Sequence, residues 1–167
     1  MKRILSSSLV AIAALASLAA HGQTTTVQDA WVRATVPQQK ATGAFMKITA
    51  AKPMKLVGVK SPAAPIAEIH EMRLQDNVMT MRAVDKLDLP AGQAVELKPG
   101  GYHVMLMDLA RPVKAGDTVP LQLVLEGADG QRQTVDVQAS VRALGTTGTN
   151  APAQDAPAHA GHGAHQH

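Results

Sequence analysis

Residues 120–141 read PLQLVLEGADGQRQTVDVQASV, and their alternation decides the fold. Leu121, Leu123 and Leu125 alternate with Pro120, Gln122 and Val124; after Gly127-Ala128-Asp129-Gly130, Val135, Val137, Ala139 and Val141 alternate with Thr134, Asp136, Gln138 and Ser140. A period of two puts one face of each segment inside and the other outside, as in two half-buried antiparallel strands joined by a turn. Outward from this pair, residues 27–141 continue as short stretches rich in Val, Ile, Leu and Thr. Pro90-Ala91-Gly92, Pro99-Gly100-Gly101 and Ala115-Gly116-Asp117 break them, with no sustained 3.6-residue apolar period. The expectation is an all-β domain of eight or nine strands, a sandwich with Greek-key connections as the default topology.

The ends of the chain differ from this middle. Lys2 and Arg3 precede an apolar, Ala/Ser-rich run from Ile4 to Ala20, which predicts an export signal over residues 1–22, cleaved after Ala20 or Gly22. The domain is expected over 23–144. Residues 145–167, rich in Gly, Thr, Ala and Pro, predict a disordered tail that carries His159, His162, His165 and His167. No second apolar stretch is long enough for a membrane span, so the mature protein is expected to be soluble; the export signal makes a periplasmic location the expectation, and a monomer is expected.

The formal charge is +3 with scattered basic residues, and the chain has one Trp, one Tyr and one Phe, a poor outfit for binding nucleic acid. Cysteine is absent, so the core must stabilise the domain without disulfides, and blue-copper electron transfer, which needs a thiolate, is excluded. Methionine shows the reverse bias: Met72, Met79, Met81, Met105 and Met107 crowd near His70 and His103. Period two puts His103, Met105 and Met107 on one strand face, with Tyr102, Val104 and Leu106 on the other, and it pairs His70 with Met72 and Met79 with Met81. A hairpin through Gln75, Asp76 and Asn77 would set the last two pairs side by side.

Thioether sulfur selects Cu(I) and imidazole also binds copper; zinc would want thiolate and magnesium or calcium would want oxygen. A thioether has no proton to lose and forms no disulfide, so such a site functions in an oxidising compartment. Methionine also fills irregular cores, and Met46 and Met54 read as packing. Met79 and Met107, each two residues from a candidate ligand, read equally well as hydrophobic shielding or as auxiliary ligands, and Met72 as an auxiliary. The tail histidines suit Cu(II), with Zn(II) and Ni(II) as competitors.

Ten residues separate His70 from Met81, twenty-one separate Met81 from His103, and one separates His103 from Met105. With Asp29-Ala30-Trp31-Val32-Arg33, Glu68-Ile69-His70-Glu71-Met72 and the run from Leu97 to Met107, this resembles the periplasmic copper chaperone family PCu(A)C over residues 27–141. Ile48-Thr49-Ala50 departs from the Asn of many relatives, away from the signature. The resemblance implies a cupredoxin-like Greek-key β-sandwich and one Cu(I) bound by His70, Met81, His103 and Met105. It also implies delivery of copper to a respiratory oxidase subunit or a Sco-type assembly protein, without catalysis. The competing expectation is copper sequestration for tolerance, with no specific acceptor.

Overall fold

A computed structural model describes residues 25–145. The expected signal at 1–22 and the four tail histidines therefore lie outside the described residues. Ten strands follow in order: β1 (Thr26–Arg33), β2 (Ala41–Thr49), β3 (Met54–Lys60), β4 (Ile66–Gln75), β5 (Val78–Ala83), β6 (Leu87–Leu89), β7 (Ala94–Leu97), β8 (Tyr102–Met107), β9 (Thr118–Gly127) and β10 (Arg132–Arg142). The excess over the expected eight or nine comes from strands as short as β6 and β7, too brief to show a period.

The opening sequence pair forms β9 and β10, antiparallel in unbroken register from Arg132↔Glu126 to Ser140↔Thr118. Leu121, Leu123, Leu125, Val137, Ala139 and Val141 all enter the core. Pro120 is tolerated in β9 because β3 pairs only as far as Gln122, so the proline lies past the end of its neighbour.

Hydrogen bonds link the strands in the order β5-β4-β8-β2-β1-β10-β9-β3-β6, with β7 also on β2. β3 and β4, far apart on this path, nevertheless lie against each other. The path thus folds over itself into a sandwich, and β5 and β6 remain separate edges rather than closing a barrel. One core cluster joins side chains from both halves, among them Val32, Ile48, Leu56, Ile69, Val104, Leu106 and Leu123. One pairing departs from the antiparallel default: β1 runs parallel to β10 through Trp31↔Ser140, Val32↔Val141 and Arg33↔Arg142.

Three details position the region around His70 and His103. Asp76 and Asn77 adopt positive φ (51° and 61°) between the paired Gln75 and Val78, a two-residue primed turn that fixes the β4–β5 hairpin. β7 and β8 both lie along one edge of β2, pairing with residues 46–49 and 41–44 respectively. Between them Lys98 to Gly101 make a tight turn, closed by the Gly101 N–H donating to the Lys98 carbonyl at 3.0 Å. Pro99 pre-sets its first corner, and Gly100 supplies the positive φ (81°) that the second corner of a type II turn requires.

Candidate metal centre

On β8 the alternation of side chains divides two environments. Val104 and Leu106 are fully buried in the core, so His103, Met105 and Met107 face outward, as the period predicts. β4 pairs with β8 so that His70 lies opposite His103 and Glu68 opposite Met105. On its other side β4 pairs with β5, with Met72 opposite Met81. His70, Met72, Met81, His103 and Met105 therefore share one face of three adjacent strands.

A shallow cavity of about 290 Å³ opens on this face. Met72, Met81, His103 and Met105 line it, along with Arg33, Gly43, Phe45, Pro99 and Gly100. Two larger clefts exist, but one has Met54 as its single soft donor and the other has none, and neither has a histidine, so chemistry rather than size singles out this one. His70 is not a wall residue. It lies beside the cavity, buried, with its ring centroid 5.8 Å from that of His103. Met79, opposite Leu74, and Met107, opposite Ile66 and Ala41, lie one or more strand positions away and do not line it. Met46 is core, and Met54 packs against the core, as expected.

Hydrogen bonds orient both imidazoles. His103 Nδ1 donates to the Gly101 carbonyl at 3.0 Å, which leaves the Nε2 lone pair available. The same carbonyl accepts the Met72 N–H at 3.1 Å, so the turn before β8 holds a ring on β8 and a backbone position on β4 together. His70 Nε2 donates to the Glu68 carboxylate at 2.9 Å, and its Nδ1 is buried with no hydrogen-bond partner. A buried unpaired acceptor costs about 1–3 kcal/mol, which a bound ligand would recover. Burial pushes the His103 pKa below its ordinary value; the Gly101 hydrogen bond opposes this, and repulsion from His70 and Arg33 adds to it. The neutral ring with a free lone pair is thereby favoured. Among the described residues no three His, Asp or Glu side chains form a metal cluster. The donor set on this face is two imidazoles with thioethers.

Sequence reasoning missed the wall beside His103. Phe45 pairs across from Trp31, and their ring centroids are 4.4 Å apart; both are buried, yet neither belongs to the core cluster. The Phe45 ring stands 6.3 Å from that of His103 and lies over Gly43, where a methyl group would meet the ring's Cζ at 2.7 Å. The available signal was Phe45 itself, an aromatic on the alternate face of a strand whose Ala44, Met46 and Ile48 point inward.

Behind the ligand face, Glu71 is 8% exposed and clamps β4 to β5. Its carboxylate receives Arg73 Nε at 2.8 Å and Arg82 Nη2 at 2.9 Å. Hydrogen bonding to Arg73 first, then to Arg82, lowers its pKa from 4.5 to about 2, against burial. A carboxylate depressed on folding stabilises the protein above its unfolded pKa, and this contribution is lost as pH falls towards the folded value. Glu71→Gln should therefore unfold at lower urea concentration than the wild type at neutral pH, and the gap should narrow as pH drops from about 4.5 to about 2. Circular dichroism across that range measures the gap; a constant gap would disprove the role.

Residues 25–141 match the family described as "LpqE-like: Putative lipoprotein LpqE-like". "Putative lipoprotein Lxx21020" of Leifsonia xyli subsp. xyli is 34% identical over 112 residues, 66% of this chain; the chain likewise spans 66%, just under two thirds, of that relative's length. The "Copper-bound PCuAC domain from PmoF2" superposes with a TM-score of 0.58 at 26% identity, covering 71% of this chain and 92% of that one. The "Solution structure of CuI-DR1885 from Deinococcus Radiodurans" gives a TM-score of 0.54 at 36% identity, covering 74% and 81%. With a sandwich shared with those copper-loaded structures and a family match across nearly all of the described residues, the chain belongs to the LpqE-like family and has the cupredoxin-like β-sandwich fold of PCuAC domains.

Proposed function

We propose that this domain is a copper chaperone of the exported compartment. It takes Cu(I) through His70, Met81, His103 and Met105 and passes it to a partner in respiratory oxidase assembly, without catalysing a reaction. The observation that carries this reading is the meeting of soft sulfur and oriented imidazole on one sheet face: Met72 opposite Met81, His70 opposite His103, and Met105 two residues on. Thioether with imidazole favours monovalent copper over the harder metals. The two lone pairs left by the hydrogen bonding, Nδ1 of His70 and Nε2 of His103, supply nitrogen, and Glu68 would hold the His70 ring in register. The copper named for two of the matched structures supports the same cargo.

Met72 is the natural fifth donor, since it lines the cavity directly across from Met81. His159, His162, His165 and His167 are assigned to capture of Cu(II) before reduction, a role resting on their composition. Export accords with the lipoprotein names of the relatives, although the 167 residues contain no cysteine to carry a thiol-linked lipid.

X-ray absorption on the Cu(I)-loaded protein truncated after Ala158 tests the assignment by counting neighbours. The expected shell is two nitrogen and two sulfur atoms, or three sulfurs if Met72 joins. A shell without sulfur would refute it.

A further inference from the structure

The run Asp29-Ala30-Trp31-Val32-Arg33 supplies no metal ligand, yet it borders the cavity. Asp29 has a positive φ of 52°, and the β1–β2 register shifts between Gln28 and Trp31. Such a bulge re-aims the side chains that follow it. Val32 then points into the core at 0% exposure, and Trp31 and Arg33 point to the ligand face, where Arg33 reaches the cavity wall. On the adjoining strand Arg142 lies level with Arg33.

Each arginine lies over an aromatic ring. The Arg33 guanidinium carbon is 5.5 Å from the Phe45 centroid, and that of Arg142 is 5.1 Å from the Trp31 centroid. Like charges at facing positions of a ladder repel. Among the described residues neither guanidinium is paired with a carboxylate; the ion pairs fall at Glu68, Glu71, Glu96 and Glu126 instead. Among the described residues, then, two adjacent planar cations without a carboxylate partner lie beside the His/Met cavity, each over an aromatic ring.

We infer that Arg33 and Arg142 form a docking platform for a carboxylate-bearing segment of the protein that exchanges copper with this cavity, an inference resting on the copper reading above. A guanidinium offers paired N–H donors that match a carboxylate, and stacking on an aromatic ring leaves this fork free to do so. One docked acidic segment would relieve the repulsion and bring neighbouring side chains to the cavity mouth that Arg33 borders. A membrane surface fits less well, because anionic lipid attraction relies on clusters of about 4–8 basic residues, and here there are two.

Two acceptor peptides with the same Met/His copper-binding core test this, one flanked by Asp and Glu and the other by Asn and Gln. Cu(I)-loaded full-length protein is mixed with each in stopped flow. The acidic peptide should receive copper roughly tenfold faster at low salt, an advantage that shrinks as ionic strength rises. Arg142→Gln, which alters no proposed ligand, should retain Cu(I) affinity and lose the preference. The acidic peptide should also change the fluorescence of Trp31, the one tryptophan, in metal-free protein.

Equal transfer to both peptides, or an undiminished preference in Arg142→Gln, would overturn the inference. So would Arg142-dependent binding to phosphatidylglycerol vesicles without any peptide preference. Protein that fails to load Cu(I) would sink the copper reading itself, whereas loaded protein that treats the peptides alike sinks the platform alone.

Discussion

Met81→Leu is expected to weaken Cu(I) binding by more than about 100-fold while leaving the fold intact. Met81 is 51% exposed on β5, a strand whose six residues are all exposed and contribute nothing to the core cluster. Leucine nearly conserves volume, and such exchanges cost less than about 1.5 kcal/mol even inside cores. What the substitution removes is a sulfur donor facing His103 and Met105 across the cavity. Losing an outer partner of a metal ligand costs about 10–100-fold, so losing a ligand should cost more. Competition against a Cu(I) chelator under reducing conditions measures it. Met79→Leu, on the same strand but outside the cavity lining, should bind like wild type and serves as the matched control. Wild-type affinity in Met81→Leu would be fatal to the four-residue assignment.

The second large effect lies on the other side of the sandwich. Leu123 is fully buried in the middle of β9, between Val135 of β10 and Val59 of β3. Leu123→Ala removes buried surface and leaves a cavity, at a cost of about 2–5 kcal/mol. Domains of this kind have about 5–15 kcal/mol in total, and no disulfide supplements the core here. With mid-range values the urea midpoint should fall by roughly a third. Because β9 is separated from β8 by three strands along the hydrogen-bonded path, the folded fraction should still bind Cu(I) normally. A midpoint unchanged within error would mean that the β9 face is not the core it is described to be.

What the sequence made legible was what alternation and turn chemistry encode locally. The β9–β10 pair, the outward face of His103 and Met105, and the hairpin at Asp76 and Asn77 all follow from spacings of a few residues. The parallel pairing of β1 with β10 joins segments more than a hundred residues apart, and neither strand carries a local mark of its partner. The same holds for β7 and β8 sharing one edge of β2, which sets Phe45 beside His103. Period two makes Met72 no more than an auxiliary, because it says only that Met72 shares a face with His70. Its direct opposition to Met81 is a matter of hairpin register, which the turn determines. His70 shares the ligand face but lies beside the cavity rather than lining it, with one nitrogen on Glu68, a placement that spacing alone does not convey.

β5 is secured from one side only: by its ladder to β4, by the Thr80 hydroxyl donating to the Arg73 carbonyl and by the Arg82 bond to Glu71, with no side chain in the core cluster. An arm attached in this way can peel back while the rest of the sandwich stays closed, since local opening costs far less than global unfolding. Cargo gripped partly by Met81 would then be let go through the breathing of a single hairpin. Residence time could be set by the strength of that hinge, independently of how hard the domain as a whole is to melt.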